Sequence, residues 1–181
     1  MTNGLRGADT PLTARGYDFY ELLSALQKDI RRCNEYQAMH WAIELETFNA
    51  KMLWNRLRVI ASEDIGIANP EATLLIDVLE RQYSDAVARK NDSSRLFLAH
   101  AVLYLARSPK SRIVDDLLVT AYGNIKYNNE KLEIPDYALD GHTARGKKMG
   151  RGKKFFIEES SKVNNETIEN IYKKVASEMP S

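Results

Sequence analysis

The spacing of apolar residues predicts a chain built from α-helices. From position 17 onwards, apolar side chains recur every three or four residues, which places them on one face of a helix. The first such face consists of Phe19, Leu22, Leu23, Leu26 and Ile30. Asp18 and Glu21 have the spacing of a capping box, which stabilises the first turn of a helix. The first helix is therefore predicted to start next to Asp18.

The second predicted helix, which starts near Asn34, is apolar on two sides. Such a helix is usually packed between two others or placed at an interface between chains. Three large apolar residues on it are candidates for an oligomer interface, namely Trp41, Leu45 and Phe48. A third predicted helix carries Leu53, Leu57 and Ile60 on one face and ends in the sequence ASEDIGIANP.

The remaining pattern adds further helices and no strand. The helix after Pro70 is predicted to bury Leu75, Leu79, Tyr83 and Ala86, and the apolar run 96–106 is predicted to be a buried helix. A further helix is defined by Val114, Leu117, Leu118, Ala121 and Ile125, and a late polar helix is predicted around 165–178. Because no long alternating run occurs, the predicted class is all-α, one domain of about six to seven helices.

Length and composition are those of one globular domain of 181 residues. The single cysteine, Cys33, excludes an internal disulfide and is typical of a reducing, cytoplasmic environment. No apolar run approaches the roughly 20 residues that span a bilayer, so no membrane partner is expected. We predict a flexible lead over residues 1–16, a helical domain over 17–157 and a C-terminal extension with a short polar helix over 158–181.

Charge is concentrated in one short segment. The formal net charge of the chain is +1, but residues 141–157 contain six cations and no acid, so the rest of the chain carries −5. The six cations are Arg145, Lys147, Lys148, Arg151, Lys153 and Lys154. Interspersed glycines would let this segment follow a nucleic-acid backbone. The alternative is that it is solvated, or that it neutralises acidic helices of its own or a neighbouring chain.

The same segment has the spacing of a nucleotide-binding loop at Gly141, Gly146 and Lys147. That interpretation is disfavoured for two reasons. Lys148 stands where the loop needs a serine or threonine, and no buried strand precedes Gly141.

The histidines His40, His100 and His142 lack the spacing of metal ligands. His100 lies within an apolar helix and is expected to be a hydrogen-bonded core residue. No metal, cofactor or catalytic residue is predicted from them.

The adjacent carboxylates Glu63 and Asp64 are of a kind that serves acid–base or metal chemistry. At the end of a helix, however, they are expected to pair with Arg56, Arg58 or a neighbouring helix N-terminus. A hydrolase that uses these two carboxylates is therefore disfavoured.

Five segments, in order, resemble the C-terminal region of the MgsA/RarA-type replication-associated recombination ATPases, which are clamp-loader relatives of the AAA+ class. They span about residues 17–157 and read YDFYELLSALQKDIR, MHWAIELE, RLRVIASEDIGIANPEA, LAHAVLYLARSPKS and IPDYALDGHTARGKKMGRGKKF. The third and fourth segments together are the most specific. The sequence departs from the family's pattern after residue 157, where it continues into an apparent extra helix.

The resemblance implies an α-helical domain, similar to the clamp-loader collar, that assembles chains into tetramers in DNA replication, recombination or repair. The family's ATP-binding motifs lie outside the resembling region, so no enzymatic activity is expected from these residues. The partners implied are further copies of the chain, DNA, and an AAA+ ATPase that is separately encoded. DNA binding would associate the chain with the nucleoid.

Overall fold

The computed structural model describes residues 11–179, and residues 1–10 of the predicted flexible lead lie outside the described residues. Within this range there are eight α-helices and no β-strand, apart from one isolated bridge between Leu12 and Asp18. The predicted all-α class is therefore confirmed. The chain divides into two compact units, one that ends at Tyr127 and one that begins at Asn128.

The first unit contains five helices. They are α1 (Phe19–Arg31), α2 (Glu35–Ile60), α3 (Glu71–Ala88), α4 (Ser94–Arg107) and α5 (Ile113–Tyr127). A π-helical turn (Ala61–Ile65) and a 3-10 turn (Gly66–Ala68) connect α2 to α3.

Helix α1 starts and packs as the sequence predicts. The Asp18 carboxylate accepts hydrogen bonds from the backbone N–H groups of Tyr20 and Glu21, at 2.8 and 3.0 Å. These bonds satisfy donors that the first turn of a helix leaves without partners. The predicted apolar face is buried, and Leu26 and Ile30 are completely enclosed.

Helix α2 corresponds to two predicted helices joined through a kink at Asn49. The backbone of Asn49 is non-helical, with φ −158° and ψ 85°. Its side-chain oxygen accepts a hydrogen bond from the backbone N–H of Met52 at 3.0 Å, so it caps the second half of the helix. Because of this cap, the chain changes direction without leaving the donor of Met52 unsatisfied.

The core of the first unit lies between α1, α2, α3 and α4. Helix α1 packs on α2, α4 packs on both α2 and α3, and each buried leucine or isoleucine contributes about 1.5–3 kcal/mol to stability. The fully enclosed larger side chains are Leu26, Ile30, Leu45, Leu53, Leu57, Ile60, Ile65, Ile76, Leu98 and Leu105. Of the residues predicted for α3, Leu79, Tyr83 and Ala86 are buried and Leu75 is half-buried.

The segment before α1 is folded back by hydrogen bonds. Thr13 is buried and its backbone N–H donates to the carbonyl of Tyr17 at 2.9 Å, while Phe19 N–H donates to the carbonyl of Pro11 at 3.1 Å. Residues 11–16, which the sequence assigned to the flexible lead, thus form a defined turn.

The second unit contains three short helices. They are α6 (Ala144–Lys148), α7 (Lys153–Phe155) and α8 (Lys173–Glu178), with a 3-10 turn at Asp136–Ala138 and a π-helical turn at Phe156–Ser160. The late helix predicted around 165–178 is shorter than expected. Asn165 adopts φ 58°, and the side chain of Asn170 accepts a hydrogen bond from Tyr172 N–H, so asparagines stabilise turns there instead.

None of the helices in residues 11–179 is long and apolar enough to cross a membrane.

Candidate functional sites

Asp64 is the centre of a cluster of charged side chains in the first unit. It lies in the π-helical turn after α2, and its side chain is 0% exposed. The carboxylate accepts hydrogen bonds from Gln27 Nε2 at 2.9 Å, Arg31 Nε at 2.6 Å and Arg112 Nη1 at 3.3 Å. A buried carboxylate is strongly disfavoured unless charged donors surround it, and these bonds supply them.

Glu63 completes the cluster at its edge. Its Oε1 accepts from Arg112 Nη1 at 2.8 Å and from Arg31 Nη2 at 3.2 Å, and the side chain is 26% exposed. Burial by itself would raise the pKa of Glu63. The hydrogen bond from Arg112 and the positive charges of both arginines outweigh burial, so the pKa of Glu63 lies below its ordinary value.

The cluster fixes the start of α5. Ser111 N–H donates to the backbone carbonyl of Asp64 at 2.9 Å, and the next residue is Arg112, which binds both carboxylates. Gly66 has φ +50° and lies so close to Val114 that an added Cβ would be 2.9 Å from its Cγ2. Only glycine therefore fits where the first turn of α5 meets the chain that connects α2 to α3.

The predicted partners of Glu63 and Asp64 were wrong, although the two carboxylates do form ion pairs. Arg58 binds Glu80 at 2.8 Å instead. Arg56 reaches the cluster indirectly, since its Nη1 donates to Gln27 Oε1 at 2.9 Å and Gln27 in turn donates to Asp64. Among residues 11–179, no group of three or more His, Cys, Asp or Glu side chains is arranged to hold a metal ion.

Lys110, in the PKS sequence that follows α4, stabilises the end of this helix. Lys110 Nζ donates to the last carbonyls of α4 and to the one that follows, at Leu105 (3.0 Å), Ala106 (2.9 Å) and Ser108 (2.6 Å). A cation is favourable here because carbonyls at the C-terminus of a helix carry partial negative charge.

The NP sequence before α3 contacts the same end of α4. Asn69 Nδ2 donates to Tyr104 Oη at 2.8 Å and to Ser108 Oγ at 3.2 Å. Asn69 thereby connects the start of α3 to the end of α4. The polar side-chain atoms of Asn69 and Lys110 thus make hydrogen bonds at the ends of helices.

Helix α5 forms as predicted, but its apolar stripe is exposed. Leu117, Leu118 and Ile125 have 65–68% of their surface accessible, and no residue of the helix is buried. Exposed apolar stripes of this kind mark interaction surfaces.

In the second unit, the glycine at position 146 serves packing. Thr143 Oγ1 accepts from Gly146 N–H at 2.9 Å and caps α6. A Cβ at position 146 would lie 1.8 Å from the carbonyl oxygen of Asp140, so no other residue fits. No strand precedes this segment within residues 11–179, and the interpretation as a nucleotide-binding loop is therefore rejected.

The six predicted cations differ in what they contact. The side chains of Arg145, Lys147, Lys148 and Lys153 make no hydrogen bond or ion pair with any described residue. Lys154 lies 3.9 Å from Glu158, a weak and exposed pair. Four cations of the segment are therefore available to an external anion.

Arg151 is a structural residue. Only 14% of its side chain is exposed, and its guanidinium donates to the backbone carbonyls of Asp136 and Leu139 at 2.8 and 3.1 Å. It also binds the Asp136 carboxylate at 2.6 Å and stacks over the ring of Phe155, 4.0 Å from its centre. Because its guanidinium makes three hydrogen bonds within this unit and little of its side chain is exposed, Arg151 holds the segment in shape.

The three predicted interface residues lie in different environments. Leu45 is 0% exposed within the core, so it stabilises the unit and offers no surface. Trp41 is half-buried, and its Nε1 donates to Asp29 at 2.7 Å. Phe48 is 40% exposed and packs on Phe19, with ring centres 5.2 Å apart. Of the three, Phe48 presents the most accessible apolar surface.

The prediction that His100 is a core residue was wrong. The side chain is exposed, because the buried side of α4 is formed by Leu98, Ala101, Val102 and Leu105 instead. Cys33 is exposed as well, with φ 62° at the turn between α1 and α2.

Comparison with known proteins identifies the family. A model of the family described as MgsA AAA+ ATPase C terminal matches residues 34–177. The chain belongs to this family. The matched range contains all of α5 and the basic segment. It also contains the carboxylate cluster, apart from the residues that α1 contributes to it.

Individual relatives match over a similar range. The chain is 32% identical over 130 residues to replication-associated recombination protein A of Haemophilus influenzae, 71% of this chain and 27% of that protein. It is 33% identical over 135 residues to the protein of the same name in Bacillus subtilis, 74% of this chain and 31% of that protein. An AAA domain-containing protein of Mycobacterium tuberculosis matches with 31% identity over 137 residues, 75% of this chain and 29% of that protein. The chain thus spans 27–31% of the length of these relatives.

Proposed function

We propose that this chain is a non-enzymatic oligomerisation and interaction domain that acts with an AAA+ ATPase in DNA replication, recombination or repair. The observation that carries the proposal is the exposed apolar stripe of α5, which is anchored at one end by the buried carboxylate cluster. A stripe of this kind is costly to leave in water, so a protein partner is its natural occupant.

The contacts of the residues in the SEDIG, NP and PKS sequences support a non-enzymatic role. Asp64, Asn69 and Lys110 are engaged with neighbouring side chains and carbonyls. Such residues are positioned to fix the ends of helices rather than to receive a substrate.

A tetramer is the assembly expected from the resemblance to the family. The commonest closed tetramers have D2 symmetry, which uses at least two different interfaces on each chain. The stripe of α5 supplies one of them, and the surface around Phe48 supplies the second.

Light scattering during size-exclusion chromatography tests the proposal. At micromolar concentration the expected mass is four times the 20.6 kDa of one chain. A monomer under these conditions would overturn the proposal. Addition of the purified ATPase module of a relative, encoded separately, is expected to give a larger complex.

Nucleic-acid binding is a second candidate function, favoured by the four cations without partners. Arg145, Lys147, Lys148 and Lys153 lie within nine residues on a segment that Gly146 and Arg151 hold in place. Phosphate contacts through these side chains would bind DNA with little sequence preference. Fluorescence anisotropy with a forked DNA measures this binding, and no binding at low salt would exclude the function.

A further inference from the structure

The basic segment contains an exposed pair of aromatic rings. The rings of His142 and Phe156 meet edge to face, with their centres 5.6 Å apart and their planes at 74°. The side chain of His142 is 80% exposed, and Phe156 is still 39% exposed with His142 against it. A further planar ring can therefore pack on this pair, and aromatic rings attract one another in offset and edge-to-face arrangements.

His142 is held in one orientation by Asp140. The Asp140 carboxylate accepts hydrogen bonds from the backbone N–H of His142 at 2.9 Å and from its ring Nδ1 at 3.1 Å. An ionised carboxylate can only accept, so Nδ1 is the ring nitrogen that carries the proton. These bonds fix the ring that supports Phe156. Because the pair is already ordered, little side-chain entropy is lost when a ligand ring packs on it.

The neighbouring ring of Phe155 is used inside the unit. The guanidinium of Arg151 lies over its face, 4.0 Å from the ring centre. Phe155 is also half-buried, whereas Phe156 is exposed. Of the two adjacent phenylalanines, Phe156 is therefore the one with an accessible ring.

Two of the free cations lie close to the aromatic pair. The backbones of Gly141 and Gly152 are in contact, since a Cβ on Gly141 would lie 3.6 Å from the Cα of Gly152. His142 and Lys153 follow these glycines, so their Cα atoms lie within about 13 Å of each other. Arg145 is three residues from His142 in the chain, which limits that Cα distance to about 11 Å. One short strand can thus contact the rings and the cations together.

An accessible ring beside free cations is complementary to a single-stranded nucleic acid. Its phosphates are attracted to the cations, and its unpaired bases present planar faces that stack on aromatic side chains. In a duplex, neighbouring base pairs cover these faces, so the ring would have no base to stack on. An acidic protein segment would satisfy the cations but would leave the rings uncovered.

We propose that the pair formed by His142 and Phe156 is a base-stacking site, at which an unpaired base of a single-stranded nucleic acid packs on Phe156 while the free cations contact its phosphates. The proposal rests on the nucleic-acid-binding function above and names the kind of strand that the segment prefers. His142 is a positioning residue, because it acts by holding the ring of Phe156.

Removal of the ring tests the site with two probes. One is a fluorescein-labelled oligothymidine, and the other is an abasic oligonucleotide of the same length, which has the phosphates but no bases. Phe156→Ala is expected to weaken binding of the oligothymidine roughly tenfold and binding of the abasic strand less than about twofold, because only stacking is lost. Fluorescence anisotropy at low salt measures both. Equal losses on the two probes, or no loss on either, would overturn the stacking site.

Further substitutions at position 156 separate stacking from folding. Phe156→Leu keeps the apolar bulk and is expected to lose oligothymidine binding as Phe156→Ala does, whereas Phe156→Trp keeps an aromatic face and is expected to bind at least as tightly as the wild type. Full binding by Phe156→Leu, or the loss of binding in Phe156→Trp, would contradict stacking. Tyr36→Ala is the matched control, since this ring lies in α2 of the first unit, is 80% exposed and is expected to have no effect on either probe.

The positioning role of His142 is tested with the same probes. His142→Ala is expected to weaken binding of the oligothymidine roughly threefold and to leave binding of the abasic strand unchanged. His142→Phe keeps a ring against Phe156 and is expected to restore most of the affinity. An equal loss on both probes would mean that His142 acts on the phosphates, and the positioning role would be wrong.

The wild type distinguishes failure of this proposal from failure of the function on which it rests. If the wild type binds the oligothymidine and the abasic strand equally, phosphate contacts stand and the stacking site is wrong. If it binds neither probe at low salt, the nucleic-acid-binding function fails as well. Oligouridine distinguishes RNA from DNA as the source of the bases, and stacking predicts a similar loss in Phe156→Ala for both, since the sugar takes no part in it.

Discussion

Arg31 Nε lies 2.6 Å from Asp64 Oδ1, a contact between residues that are 33 positions apart in the chain. It joins α1 to the π-helical turn that follows α2. Because Arg112 binds the same carboxylate oxygen at 3.3 Å, the start of α5 is attached to α1 through one buried side chain. The orientation of α5 is thus coupled to the core by Asp64.

Asp64→Asn is expected to lower the free energy of unfolding by about 2–3 kcal/mol. The substitution keeps the volume but removes the charge that two arginines share. The loss is at the lower end of that for a broken buried ion pair, because both arginines are partly exposed and regain water. Urea unfolding followed by circular dichroism measures the change.

Glu63→Gln is the matched control for this change. It alters the adjacent carboxylate, which is partly exposed, and is expected to cost less than about 1 kcal/mol at neutral pH. Equal losses from Asp64→Asn and Glu63→Gln would contradict the central role of Asp64.

Glu63 predicts a pH dependence of stability at acid pH. Its pKa in the folded state lies below the unfolded value, since the hydrogen bond from Arg112 and the positive charges outweigh the opposing effect of burial. The unfolded state therefore binds this proton more readily, and the stabilisation is complete above the unfolded pKa of about 4.3 and is lost as pH falls through the folded pKa. Urea unfolding of the wild type and Glu63→Gln between about pH 6 and pH 3 is expected to show their stabilities converging as the pH falls below the unfolded pKa.

Gly146→Ala is expected to disrupt the basic segment. The added methyl group would lie 1.8 Å from the Asp140 carbonyl oxygen, so the backbone must shift, at a cost on the order of 2 kcal/mol. Limited trypsin digestion is expected to cleave faster at Lys147 and Lys148. Gly152→Ala is the control, because nothing lies within 4 Å of a Cβ there and its φ is −120°. Similar digestion rates for the two variants would refute the packing role of Gly146.

The salt dependence of DNA binding tests the free cations. If all four contact phosphates of duplex DNA, the logarithm of the association constant is expected to fall with the logarithm of salt concentration with a slope of about −3.6. Lys147→Ala combined with Lys148→Ala removes two contacts and is expected to reduce the slope to about −1.8.

Lys162→Ala is the matched control for this measurement, since Lys162 is already paired with Glu159 at 2.9 Å. An unchanged slope in the double variant would exclude phosphate contacts by Lys147 and Lys148.

Sequence periodicity predicted the inner faces of the helices well, as α1 shows. Leu22, Leu26 and Ile30 are all buried, because a one-sided apolar pattern reports which side of a helix loses water. The same reasoning predicted the stripe of α5 but not its exposure. Leu117 and Leu118 have the pattern of a packed face, and a pattern within one helix cannot specify what covers it.

Contacts between residues far apart in the chain explain the other differences between the predicted and the observed contacts. Local spacing predicts partners for Asp64 in α2, at Arg56 and Arg58. Packing instead brings Arg31 from α1 and Arg112 from the start of α5. The occupied guanidinium of Arg151 likewise depends on where the chain places Asp136, 15 residues earlier. Such pairings follow from the fold, so local spacing does not reveal them.

Helix α5 is anchored to the rest of the first unit where it starts, so a tilt at the anchor displaces its far end most. Its 15 residues extend about 22 Å from the anchor at Asp64, so a tilt of about 10° there would displace Tyr127 by about 4 Å. Small rearrangements where Arg31 and Arg112 share Asp64 would therefore move the exposed stripe of α5 most at the end that lies far from the anchor.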